Sequence, residues 1–206
     1  MKINKNNYII GVTGGIGAGK STVLYILENS WGAKVYQADR VSRALIMPDG
    51  SAYDDVVALL GNDILTDDGL PDREAISKIV FRDPEKLSAL EDIIHPAVKA
   101  FLLKKAKTRK GLLVFEAALP REGGFDELCD EIWYIRADAG TRIKRLEDTR
   151  GYSREKSLEI ISAQLGDEEF RSLCDVEIDN SGSLEELEIR IKDQIKRIKK
   201  KTGADI

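Results

Sequence analysis

The chain has 206 residues, with 32 lysines and arginines against 36 aspartates and glutamates, a formal net charge of −4. Apolar residues make up 42% and charged residues 33%, which excludes a fibre or a disordered tail and predicts a folded, soluble, cytoplasmic protein, a monomer or weak homo-oligomer. The mildly acidic balance argues against nucleic acid as the main partner, and no stretch approaches the roughly 18 apolar residues of a membrane span.

Met1 to Asn7 lead straight into a short apolar run, without a cleavage site of small residues, so no signal peptide is read. Tyr8–Val12 is apolar and rich in β-branched residues and reads as the first strand. A glycine-rich turn follows, then a helix from Ser21. Ala33–Tyr36, Leu112–Glu116, Ile132–Ile135 and Val176–Asp179 read as four further strands. Short apolar strands alternating with helices predict an α/β fold: a parallel sheet between two helical layers.

The spacing is uneven. About 75 residues separate the second and third strands, far more than one crossover needs, and Asp72–Phe81 and Pro84–Lys107 look helical. This predicts a helical insertion forming one wall of a substrate cleft. A second helical stretch, Ala139–Leu173, carries Arg142, Arg145, Arg150, Arg154 and Arg171. Leu184, Leu187, Ile191, Ile195 and Ile198 recur at helical spacing and predict a last helix packed on the body. Cys129 and Cys174 are too few for a disulfide framework and are expected as reduced core thiols. The lone histidine, His95, rules out a histidine-based metal cluster and is read as a packed side chain at a helix boundary before Pro96, or as a substrate contact.

Gly14-Gly15-Ile16-Gly17-Ala18-Gly19-Lys20-Ser21 matches G-x-x-x-x-G-K-[ST] in full, between a strand and a helix. Glycines admit backbone conformations closed to other residues, so successive N–H groups can surround phosphate oxygens. The positive helix end adds to that attraction. Lys20 supplies a compact cation for the β- and γ-phosphates, the Ser21 hydroxyl a ligand for Mg²⁺, and Thr22 falls beside the α-phosphate. A site for ATP and Mg²⁺ is the direct expectation.

A regulatory GTPase would carry N-K-x-D after a strand, and none follows Ile135 or Ile178. The feature order instead fits a small-molecule kinase. Asp39 follows the second strand, where strand ends of a doubly wound sheet line the ligand crevice. Its carboxylate can accept a hydrogen bond from an acceptor hydroxyl and aim it at the γ-phosphorus, or it can cap the helix that starts there. Glu116, ending the third strand, can hold a water on Mg²⁺ or cap a helix.

These residues resemble the dephospho-CoA kinase family from Tyr8 to about Lys192. The resemblance is carried by Thr13-Gly14-Gly15-Ile16-Gly17, by Ala38-Asp39 with Arg43, by Leu70-Pro71-Asp72-Arg73 and by Ile94-His95-Pro96-Ala97-Val98. It continues through Glu116 to Glu122, where Pro120 and Arg121 replace apolar residues, through Arg150-Gly151 with Gln164, and through Ile178-Asp179-Asn180-Ser181-Gly182. It implies a P-loop NTPase fold with a five-stranded parallel sheet, a helical CoA-binding insertion at about 40–108 and a lid at about 139–173. It further implies ATP-dependent phosphorylation of the ribose 3′-hydroxyl of dephospho-CoA, giving CoA and ADP. Asp39, Lys20, Arg145 and Arg150 would then serve catalysis, with Arg142 and Arg154 as further lid cations. Arg43, Arg73 and His95 would face the acceptor, and Asn180 the adenine. Another P-loop metabolite kinase or nucleoside monophosphate kinase is the alternative.

Overall fold

The structure, a computed structural model, describes residues 7–118 and 122–203. The altered stretch Leu119–Arg121 lies outside the described residues. Among the described residues, five strands form a parallel sheet in the order β2-β3-β1-β4-β5. The strands are β1 (Asn7–Thr13), β2 (Lys34–Gln37), β3 (Gly111–Glu116), β4 (Glu131–Arg136) and β5 (Val176–Asp179). Each contains its sequence-predicted counterpart apart from Ala33, with ends moved by a residue or two.

In one compact unit, residues 1–36 and 106–206, the register sets β1 between β3 and β4. Val12 lies opposite Glu116 on one side and Trp133 on the other. The C-terminal ends of these strands therefore share one edge. Helices α1 (Lys20–Trp31) and α9 (Leu184–Thr202) cover one face. Val23, Leu24, Ile26 and Leu27 of α1 and Leu187, Ile191, Ile195 and Ile198 of α9 bury against Ile10, Val12, Val114, Trp133 and Ile135. Alternate strand residues Ile9, Leu113, Phe115, Ile132 and Tyr134 are buried on the opposite face. There Phe170 of α8 (Asp167–Leu173) stacks on Tyr134, with centroids 4.7 Å apart.

Two details depart from the sequence reading. Leu184 is 58% exposed, because it is the first residue of α9 and lies before the buried stripe begins. The helical stretch 139–173 is made of three helices. Gly151, in a left-handed conformation, ends α6 (Ala139–Arg150), and Ser153 caps α7 (Arg154–Ser162). Both cysteines are free thiols, half-buried rather than fully in the core. Burial, reinforced by Asp130, Asp126 and Asp175, pushes the Cys129 thiol up to about 12.

Residues 37–105 form a second compact unit. It holds α2 (Ala38–Leu45), α3 (Tyr53–Leu60), α4 (Arg73–Arg82) and most of α5 (Pro84–Thr108). Its own core joins Ala52, Val56, Leu60, Ile64, Ile76 and Leu90. Asp72 starts α4 by accepting the N–H groups of Glu74 and Ala75. The helix boundary expected at His95 is absent: α5 runs through Pro96 without a break, the lost backbone hydrogen bond being tolerated inside a 25-residue helix. No helix of the described residues is long and apolar enough to cross a membrane.

Candidate active site

The phosphate loop is built where β1 ends at Thr13, whose hydroxyl donates to the Ala118 carbonyl at 2.6 Å. Its geometry demands glycine above all at Gly14, where φ is 150° and a Cβ would stand 2.3 Å from the Ile135 carbonyl oxygen, and at Gly19. Gly19, at φ 87°, opens α1, and a Cβ there would stand 2.2 Å from Asn180 Nδ2. A Cβ on Gly15 would stand 2.3 Å from Arg142 Nη2. The first turn of α1 has no acidic residue, so no carboxylate of the helix itself neutralises its positive end. Lys20 folds back over the loop, and its Nζ donates to the Gly14 carbonyl at 2.7 Å.

The outer side of the loop is gripped by side chains from α6 and from the turns after α7 and β5. Arg142 Nε donates to the Ile16 carbonyl at 2.8 Å, and its Nη2 to Gln164 Oε1 at 2.7 Å. The same Gln164 oxygen accepts the Ile16 N–H at 2.8 Å. Arg145 donates to the carbonyls of Gly17 and Ala18 at 3.4 and 3.3 Å and to that of Asn180 at 2.9 Å. Asn180 is buried, and its amide donates to the Ala18 carbonyl at 2.8 Å. Burial lowers the Arg142 pKa, partly offset by Tyr134 and Asp167.

Beneath this grip, Asp167 accepts from the Tyr134 hydroxyl at 2.7 Å and from Arg136 Nε at 3.0 Å. Burial opposes ionisation of Asp167. These donors outweigh it and hold the carboxyl below its usual range. Burial and the Asp167 carboxylate push the Tyr134 phenol up. A cavity of about 490 Å³ lies beside the cluster, between Arg136–Ala139 and Ile161–Glu169, with Arg142 in its wall.

Sequence-predicted residues thus fall into two groups. Gly14 to Thr22, Arg145 and Asn180 come together in the first unit, where Glu116 ends β3 half-buried in register with Val12. Arg150, the last residue of α6, lies instead beside Tyr152, whose ring also carries Lys156 Nζ 4.3 Å from its centroid. In the second unit Asp39 is exposed in the first turn of α2. It does not cap that helix, because Gln37 occupies the cap position. Arg43 is exposed in the last turn of α2, Arg73 is exposed at the start of α4, and His95 is half-buried in α5.

The sequence reading missed the double grip on Ile16 by Arg142 and Gln164. No local signal marks it, since Arg142 and Ile16 stand 126 residues apart.

A glycine-rich loop running from the central strand of a parallel sheet into a helix defines the P-loop class of nucleotide-binding proteins. The family model described as dephospho-CoA kinase matches residues 8–186. The chain belongs to the dephospho-CoA kinase family. It is 43% identical over 181 residues to the dephospho-CoA kinase of Carboxydothermus hydrogenoformans, covering 86% of this chain and 87% of that one. Against the dephospho-CoA kinase of Geobacter sulfurreducens the identity is 41% over 189 residues, covering 90% and 95%. Among solved structures, TT1252 from Thermus thermophilus aligns with a TM-score of 0.77 at 32% identity, over 94% of this chain and 98% of that one. Dephospho-CoA kinase from Campylobacter jejuni aligns at 0.69 and 25% identity, over the same shares of the two chains. A shikimate kinase from Acinetobacter baumannii, at 16% identity and 0.53, shares the fold alone.

Proposed function

We propose that this protein transfers the γ-phosphoryl group of ATP to the ribose 3′-hydroxyl of dephospho-CoA, giving CoA and ADP. Family membership over most of the chain carries this reading. The phosphate loop supports it with the machinery that such a transfer needs. The loose transition state asks little covalent chemistry of the protein. It asks for aligned oxygens and for stabilised charge on the transferring group.

In this reading the loop amides and the end of α1 hold the β-phosphate. Lys20 exchanges the Gly14 carbonyl for β- and γ-phosphate oxygens. Thr22 lies at the α-phosphate. The Ser21 hydroxyl, exposed in the first turn of α1, and the Glu116 carboxylate through a water would hold Mg²⁺. Both are hard oxygen donors suited to that ion. Mg²⁺, when bound, would neutralise phosphate charge.

Asp39, two residues after the end of β2, would accept the hydrogen bond of the acceptor hydroxyl and take its proton late in the transfer. The unperturbed aspartate pKa, about 4, is far too low for earlier removal. Arg43, Arg73 and His95 would meet the acceptor. Arg150 remains the lid cation for the transferring group, because Arg145 is spent on loop carbonyls. Asn180, with its amide donated to Ala18, would border the adenine through its turn.

A coupled assay with ATP, Mg²⁺ and dephospho-CoA tests the reading. ADP release stimulated by dephospho-CoA, and not by AMP, UMP or dTMP, is the expected result. Stimulation by a nucleoside monophosphate instead would assign the other kinase chemistry.

A further inference from the structure

Each peptide unit is planar, with its C=O and the next residue's N–H pointing in opposite directions. The carbonyls of Ile16, Gly17 and Ala18 all accept from side chains outside the loop: Arg142, Arg145, and Arg145 with Asn180. Capturing the Ile16 and Ala18 carbonyls from outside turns the Gly17 and Gly19 N–H groups to the inside. Ile16 is held twice, since Gln164 Oε1 binds its N–H and, at the same time, the guanidinium that holds its carbonyl. The grip spans 126 residues between Arg142 and Ile16 and closes a ring of three hydrogen bonds. Among the described residues no carboxylate lies within ion-pair distance of the Arg142 guanidinium, although it is 7% exposed. Its polar contacts are neutral oxygens of the loop and of Gln164.

From this geometry we infer that Arg142 and Gln164 are positioning residues that set the phosphate loop in its binding conformation from the outside, rather than contacts to the transferred phosphoryl group. The inference rests on the loop being the nucleotide site. It explains why Gly15 has no side chain: a Cβ would displace both Arg142 Nη2 and Gln164 Oε1, which lie 2.3 and 2.9 Å from where it would stand. It also separates two roles that the sequence pattern of lid arginines merges. A cation on the loop serves every nucleotide with a β-phosphate, whereas a cation on the γ-phosphate serves only a triphosphate.

The test is calorimetric titration of ADP and of a non-hydrolysable ATP analogue into wild type, Arg142→Lys and Gln164→Ala. Arg142→Lys keeps the charge and loses the fork that reaches two acceptors. It should weaken both ligands by the same factor, about tenfold, the scale of one charge-assisted hydrogen bond. Gln164 is exposed, so Gln164→Ala is expected to fold. It should weaken both ligands in the same ratio, by less, and speed hydrogen exchange at Ile16. Loss confined to the ATP analogue would place Arg142 on the γ-phosphate and overturn the inference. Unchanged binding of both ligands by both variants would overturn it as well. Failure of wild type to bind ADP would instead remove the nucleotide site on which it rests.

Discussion

The two compact units hold their candidate residues in opposite ways. In the sheet unit nearly every polar group around the loop is engaged: Lys20 on Gly14, Arg142 and Gln164 on Ile16, Arg145 and Asn180 on Ala18. In the 37–105 unit Asp39, Arg43 and Arg73 stand exposed on helices whose order comes from an apolar core and from caps such as Asp72. A loop backbone held in shape before a ligand arrives needs little reorganisation, with only Lys20 exchanging a partner in the proposed reaction, so the first arrangement suits stabilising developing charge. The second suits groups that gather around an incoming molecule, with binding energy spent on ordering them. The contrast teaches that the surroundings of the loop are fixed in advance, while the exposed residues of the second unit, if they meet the acceptor as proposed, would be ordered by it.

Variants can break that contrast, beginning with the loop. Lys20→Ala should lower turnover by about 10²- to 10³-fold, as loss of one oxyanion donor does. Steady-state rates measure it, and a near-normal rate would take Lys20 out of the chemistry. Asp39→Asn should cost about 10²-fold in turnover, the lower end for a general base, because its proton moves late. ATP binding, read by calorimetry, should stay as in wild type. Normal transfer by Asp39→Asn would remove it from the acceptor side. Arg43→Ala and Arg73→Ala should each raise the KM for dephospho-CoA about tenfold, the scale of one hydrogen bond to a charged group, with the KM for ATP unchanged. A shift in the ATP value instead would erase the division between loop and acceptor residues.

How far the sequence reveals each half follows from the range of the forces involved. The loop is legible because its chemistry is local: eight consecutive residues fix strand, turn and helix start, and Gly14, Gly17 and Gly19 take positive φ values. The three inner strands are legible because both of their faces are buried, so each reads as a largely apolar run, whereas the edge strands β2 and β5 mix polar residues with apolar ones. The stripe of α9 is legible from Leu187 to Ile198, and fails at Leu184, where periodicity extends one turn beyond the body it packs on. Pro96 misleads because a local rule against proline is outweighed by the packing of a long helix, whose Ile93, Ile94 and Ala97 join the core of the second unit. The hold of Arg142 on Ile16 is hidden because nothing local records a contact made across most of the chain. An arginine bound to a carbonyl and one bound to a phosphate look alike in a sequence.

The smallest expected effect concerns how α8 is fastened beneath the loop. The Asp167 carboxyl lies below its usual range in the folded chain, so its contribution to stability is complete above the ordinary aspartate pKa of about 4. It is lost as the pH falls through the lower, folded value. Asp167 is part-exposed, with a side chain 38% accessible, so solvent screens its pairing with Arg136 and the change should be modest. Asp167→Asn keeps an acceptor for the Tyr134 hydroxyl and removes the titrating charge. Thermal unfolding of wild type should therefore fall more steeply between pH 5 and about pH 2 than that of the variant, the two curves converging at the acid end. Parallel curves would show that the carboxylate contributes nothing to seating α8 on β4. The loop above it would then be held by Arg142, Gln164, Arg145 and Asn180 without help from this carboxylate, which sharpens the contrast with the exposed residues of the second unit.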